Sequence, residues 1–155
     1  IYPYDGLGTT EKEAVTYGMK GDRLSSLCYQ STREHFAIET TTSLFRKIIK
    51  YPIFIGSKLI GKDYFQKKLN QLVELKEYED SNYIGCIVWL SGGKKEIFLR
   101  KWFDETIMVP FEKYQFRVPK DYDEVLRHTY GDYMQLPPEK DRIGHHYFKA
   151  YRKDE

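Results

Sequence analysis

At 155 residues the chain has room for one domain, or a large piece of one, and can bury roughly 70% of its unfolded surface. Its 41% apolar content, with 14 Tyr and 9 Phe, excludes intrinsic disorder. A formal charge of +2, from 25 basic and 23 acidic residues, lacks the basic footprint of a dedicated nucleic-acid binder, so no nucleic acid is expected as a partner.

Ile1-Tyr2-Pro3-Tyr4-Asp5-Gly6 reads as the end of a strand that turns at Asp-Gly. Thr10 to about Tyr29 predicts a helix, with Gly18 and Gly21 as its weak points. Ser31 to Thr42 is polar and aperiodic, hence a loop. Leu44, Phe45, Ile48 and Ile49 form the stripe of a short amphipathic helix that Pro52 should end or kink. Lys62 to Glu77 sets Phe65, Leu69, Leu72, Val73 and Lys76 on one side of a helix that gives way at Glu79-Asp80-Ser81-Asn82.

Tyr83 to Leu90 is a continuous apolar run, as in a strand buried on both faces, and Ser91-Gly92-Gly93 breaks it. A short turn or helix should follow Lys94 to Glu96 and run through Trp102. Thr106 to Val109 and Tyr114 to Val118 predict a hairpin with a four- or five-residue connection around Pro110-Phe111-Glu112-Lys113. Asp121 and Glu124 make a capping-box pattern for a helix that turns Tyr122, Val125, Leu126 and Tyr130 inward and stops at Gly131. Helices and strands interleave without repeat or long linker, which predicts one α/β or α+β unit.

The longest apolar stretch, Ile53 to Ile60, is interrupted by Gly56, Ser57 and Lys58, and a membrane span needs about 20 residues, so none is expected. No signal peptide is visible. The only two cysteines, Cys28 and Cys86, are too few for a four-cysteine zinc site or a disulfide framework. They read as two thiols in a reducing compartment, and a cytoplasmic location is expected.

Residues 130 to 146 gather chemistry that core packing rarely asks for: Tyr130, Asp132, Tyr133, the Pro137-Pro138 step, Arg142, His145 and His146. If Arg142 to Lys153 is helical, Arg142, His145, His146, Lys149 and Lys153 share one cationic face, on which Arg142 could grip phosphate oxygens bidentately. The bland reading is a solvated helix whose cations pair with Glu139, Asp141 and Asp154. Adjacent histidines diverge on either a helix or a strand, so His145 and His146 do not suit one metal ion. One of them as proton donor or phosphate contact, with the other structural, fits better. Asp132 could cap, turn, or point into a site. Ser91 to Glu96 is not a Walker A loop, yet Lys94 and Lys95 after two glycines could approach a phosphate, or sit in a plain polar turn. No nucleophile-base arrangement follows from spacing.

Ile1-Tyr2-Pro3-Tyr4-Asp5-Gly6 matches the pattern D-[IVL]-[FY]-P-x-D-G from its second position on. With it go Tyr83-Ile84-Gly85, Val88-Trp89, Gly93-Lys94-Lys95-Glu96, Trp102-Phe103, Val109-Pro110-Phe111-Glu112 and Val118-Pro119. The run from Tyr122-Asp123-Glu124 to Tyr130-Gly131-Asp132-Tyr133-Met134 follows, with Leu136-Pro137-Pro138, Arg142 and His145-His146. Together these segments resemble the LicD family, the phosphocholine transferases of cell-surface glycans that are related to the fukutin proteins. The match is strong from about residue 83 to 151, present at 1 to 6, and elsewhere little more than helical character.

The resemblance implies a nucleotidyltransferase-like fold, with residues 1–155 as the C-terminal portion of a single catalytic domain. It implies transfer of phosphocholine, or a similar phospho-alcohol, from a CDP-choline-type donor to the sugar hydroxyl of a lipopolysaccharide or teichoic acid, with Mg²⁺ or another divalent cation. On that basis His145, His146 and Asp132 are expected at the chemistry. Arg142, Lys94, Lys95, Tyr130 and Tyr133 are expected to bind substrate, and Asp5 is the candidate metal ligand. The family's paired metal-binding aspartates would fall before Ile1, so this chain alone is expected to lack transferase activity. The rival reading is a non-catalytic glycan-binding or docking module that uses its tyrosines as platforms. A purely structural domain is the third.

Overall fold

The computed structural model describes residues 3–36, 43–90, 93–136, 138, 139 and 142. The expected helix from Arg142 to Lys153, including His145 and His146, lies outside the described residues except for Arg142 itself. In chain order come β1 (Asp5–Gly8), α1 (Glu11–Thr32), α2 (Leu44–Ile60), α3 (Lys62–Val73), β2 (Tyr83–Gly85) and β3 (Phe98–Leu99). Then follow β4 (Thr106–Phe111), β5 (Tyr114–Pro119) and α4 (Tyr122–Tyr130), with tight 3-10 turns at Gly93–Glu96 and Arg100–Phe103. The sheets are β1-β2-β3 and the hairpin β4-β5, and every pairing is antiparallel. The class is α+β. The ligand-loop rule of open parallel α/β sheets therefore gives the turn at Gly93 no special standing.

Thr10 starts α1 for a physical reason. Its Oγ accepts the Glu13 N–H at 3.3 Å, and the Glu13 carboxylate accepts the Thr9 N–H at 3.0 Å, satisfying donors the helix leaves open. α1 packs on β1, β2 and α3, and the core forms between them from Leu7, Ala14, Leu72, Ile87, Leu90 and Ile97. Gly21 is there for close approach: a Cβ on it would come within 2.6 Å of Ile87 Cγ2 and 2.8 Å of the Ile87 carbonyl oxygen. α3 buries Phe65, Leu69 and Leu72, as its period predicts.

Several boundaries differ from the sequence reading. β1 begins at Asp5-Gly6 instead of turning there, because the Asp5 carboxylate accepts the Ile87 N–H (3.3 Å) and Gly6 lets the segment at Glu77 and Ser81 approach. α1 runs on through Thr32, so the loop expected from Ser31 starts later. α2 runs on through Pro52, which removes one backbone donor without ending the helix. α3 stops at Val73, after which Lys76 ion-pairs with Glu13 and the buried Ser81 hydroxyl accepts the Gly8 N–H at 3.2 Å.

The expected long strand is only Tyr83–Gly85. Cys86, Ile87 and Leu90 remain buried through a turn closed by the Trp89 N–H on the Cys86 carbonyl (2.9 Å). The β4-β5 connection shrinks to Glu112-Lys113 because Glu112 adopts φ 53°. Asp121 sits at the N-cap of α4, but at ψ 32° it is not extended and its side chain makes no cap bond. Val125 and Leu126 are half-buried as expected, whereas Tyr130 is exposed. Cys28 and Cys86 are both free. Among the described residues no helix is long and apolar enough to cross a membrane.

Candidate functional site

The Gly93–Glu96 turn is fastened to α4 through its backbone. His128 Nε2 lies 2.9 Å from the Lys94 carbonyl oxygen, which requires the tautomer protonated there, and Thr129 Oγ reaches the Lys95 carbonyl at 3.5 Å. The His128 ring rests edge-on against Phe98 and Trp102, with centroids 5.7 and 5.6 Å apart. The turn is thus held to α4 by its carbonyl oxygens. The Lys94 ammonium reaches outward to Glu11 at 3.0 Å in an ion pair exposed on both sides.

Two clefts draw lining residues from this turn. The first, about 390 Å³, runs along α1 past Gly18, Asp22 and Arg23 to Leu90, Gly93 and Lys94. The second, about 380 Å³, is lined by Tyr4, Cys86, Trp89, Glu96, Thr129 and Tyr130, with Phe98 at its base. Burial raises the Tyr4 hydroxyl above its ordinary pKa, and Cys86, Glu96 and Tyr130 add to the rise, so these four groups share one field. Burial likewise raises the Cys86 thiol, with Asp5 and Glu96 contributing. Asp5 is raised by burial too, against the lowering pull of the Ile87 N–H. The cleft combines aromatic faces with one carboxylate, Glu96, a surface that suits a cationic organic group.

Of the residues singled out in the sequence, Lys94 lines the first cleft and Tyr130 the second. Lys95 joins the same turn through its carbonyl. The Tyr133 hydroxyl donates to Asp123 Oδ1 at 2.6 Å, and Arg127 holds Asp123 Oδ2 at 2.7 Å. That clamp folds the segment after Gly131 back onto α4. It lowers the Asp123 carboxyl, chiefly through the Tyr133 bond, and raises the Tyr133 hydroxyl. Asp132 is exposed in the turn after Gly131, and its carbonyl accepts the Gln135 N–H at 3.1 Å. The Arg142 N–H donates to the Glu139 carbonyl at 3.2 Å. His145 and His146 lie outside the described residues.

Asp5 offers a single half-buried carboxylate, and among the described residues no group of three His, Cys, Asp or Glu side chains could hold a metal ion. The described residues alone do not fit a divalent cation. Sequence reasoning missed Tyr4, Trp89, Glu96 and His128. Tyr4, Trp89 and Glu96 each sit in a matching segment, which is the signal that could have found them.

No family model and no solved structure matches the chain. A search of curated proteins finds the lipopolysaccharide cholinephosphotransferase LicD of Haemophilus influenzae, 32% identical over 153 residues, which is 97% of this chain and 55% of that protein. The chain is thus LicD-like over nearly its whole length, and it spans about half the length of the curated relative it matches.

Proposed function

We propose that this chain is part of a LicD-like transferase that moves phosphocholine, or a similar phospho-alcohol, from a CDP-linked donor to a cell-surface glycan, on a nucleotidyltransferase-like framework. The observation that carries this reading is the 32% identity across 97% of the chain to a lipopolysaccharide cholinephosphotransferase. In the reaction, a sugar hydroxyl oxygen bonds to the phosphorus that bears choline. The pyrophosphate P–O bond breaks, cytidine monophosphate leaves, and the hydroxyl proton passes to a base.

The two clefts divide that donor sensibly. Tyr4, Trp89 and Tyr130 offer ring faces to a trimethylammonium group, and Glu96 adds negative charge beside them. From the turn, Lys94 and Lys95 supply positive charge to the phosphates. Lys94 is free to exchange partners, because an exposed pair such as Lys94–Glu11 is worth little. Arg142 and one of His145 and His146 complete the phosphate contacts from the tail. Asp132 and the Tyr133–Asp123 clamp set where that tail leaves α4. On its own the chain holds the donor without turning it over.

Calorimetric titration of the 155-residue chain with CDP-choline, CDP and a choline-free glycan tests this. CDP-choline should bind. Trp89→Ala should weaken it about tenfold while leaving CDP unchanged, since a desolvated cation–π contact contributes about that much. Replacing Lys94 and Lys95 together by Gln should weaken both nucleotides. Binding of the glycan with no response to either nucleotide would overturn the reading in favour of a glycan-binding module. Release of cytidine monophosphate by the chain alone would overturn the statement that it lacks turnover.

A further inference from the structure

α2 faces opposite to a helix packed on a water-soluble body. At ~100° per residue, Leu44, Phe45, Ile48 and Ile49 in its first half share an arc of about 180° with Ile53, Ile55, Leu59 and Ile60 in its second. Only Pro52 and Gly56 join them, so no charged or hydrogen-bonding side chain interrupts the arc. The other side holds Phe54 and Ser57, the two residues the helix buries, together with Arg46, Lys47, Lys50 and Lys58. A surface helix normally turns its apolar stripe inward. Here Leu44 is 77%, Ile48 71% and Leu59 83% exposed. A contiguous apolar face of this kind marks a docking surface.

Charge decides what docks. A second copy would set α2 against α2, placing the border cations Arg46 and Lys58 of each helix along the seam with no Asp or Glu on either helix to meet them. A bilayer with anionic headgroups satisfies both features. Its hydrocarbon takes the isoleucine and leucine arc, while Arg46 and Lys58, at the two borders of that arc, reach phosphate oxygens. Lys58 at present donates to the Glu34 carbonyl at 3.5 Å, an exposed contact that a lipid phosphate can replace. Tyr51 stands at the same border, half-exposed, with its ring on Phe36 at 5.5 Å, and headgroup depth is where such rings concentrate.

With 17 residues the helix is roughly 25 Å long, short of the ~20 residues a span requires, and Gly61 (φ 86°) turns it directly into α3. It can lie along a membrane but not cross one. We propose that α2 is an interfacial helix that seats this chain on an anionic phospholipid surface.

The test uses the 155-residue chain with vesicles of phosphatidylcholine containing about one third phosphatidylglycerol, read by co-sedimentation. The chain should bind these vesicles, and at least about tenfold less to phosphatidylcholine alone. The double variant Ile48→Glu with Leu59→Glu should lose at least about tenfold in binding. Both positions are exposed, so its circular dichroism should match the parent's. A Leu59→Trp variant adds a local readout, with brominated acyl chains quenching it beyond the quenching of Trp89 and Trp102 in the parent. Undiminished binding by the double variant overturns the proposal, as does a parent chain that stays monomeric and binds no vesicle. A dimer abolished by the same two substitutions also overturns it and assigns the face to a second copy.

Discussion

Asp5 carries its carboxyl into a place where burial works against the charge, and the Ile87 N–H only partly offsets that. The linkage has a definite sign. At low pH the folded and unfolded chains are both protonated at Asp5, and the group contributes nothing to the difference between them. As pH rises the unfolded chain ionises first, so the contribution of Asp5 to stability falls until pH passes its raised folded pKa, then levels. Asn at this position keeps an oxygen for the Ile87 N–H and has no charge to lose. The melting temperature of Asp5→Asn should therefore match the parent near the acid limit and exceed it by about 1–3 °C at neutral pH, a modest gain because the group is half-exposed. Thermal melts across the carboxylate range check this, and a gap that narrows as pH rises would contradict it. None of this was legible in the sequence, where Asp5 read as a turn residue or a metal ligand. Its partner Ile87 lies on the far side of three helices in the chain.

At the scale of elements, two glycines in helices should respond in opposite directions. Gly21→Ala gains helix propensity, about 1 kcal/mol, but its Cβ would press on the Ile87 carbonyl at 2.8 Å, which is backbone and cannot swing away. A net loss of about 2 kcal/mol is expected. Gly56→Ala meets nothing within 4 Å and should stabilise the chain by up to about 1 kcal/mol. Urea midpoints at constant slope read both, and equal signs would refute the packing account. The same contrast shows what the sequence could reveal. One-sided burial gives α3 a readable period, and Phe65, Leu69 and Leu72 lie where that period puts them. Pro52 reads as a breaker in sequence, yet α2 continues through it, because the ring lies on an exposed arc where its bulk is tolerated. The run after Gly85 looked like strand because a buried turn and a buried strand are equally apolar. The seam between the Gly93–Glu96 turn and α4 rests on carbonyl oxygens, which leave no mark in a sequence. Lys94 and Lys95 could be named, but the aromatic cleft beside them could not.

For the whole molecule, stability should be unevenly spread. Leu7 and Ile87 are fully buried where α1, α3 and the three-stranded sheet meet, and Ile84 is fully buried in β2. Among the described residues β4 and β5, by contrast, pair only with each other, and Met108, Phe111, Tyr114 and Phe116 are largely exposed. A two-stranded ribbon without a packed face is marginal in water. Its amides should therefore exchange through local opening, at least about a hundredfold faster than amides of α1 and β2, which exchange only when the body unfolds. A gradient should run along the ribbon as well. At its open end the Lys120 N–H donates to the Glu105 carbonyl at 2.9 Å, and the two side chains pair at 2.9 Å, whereas the other end is the bare Glu112-Lys113 turn. Protection should rise from Phe111 and Tyr114 toward Thr106 and Val118. Hydrogen exchange resolved to short peptides measures both features. Uniform protection across the ribbon and α1 would mean that something outside the described residues packs on the hairpin, because its own cross-strand bonds are too few to resist opening alone.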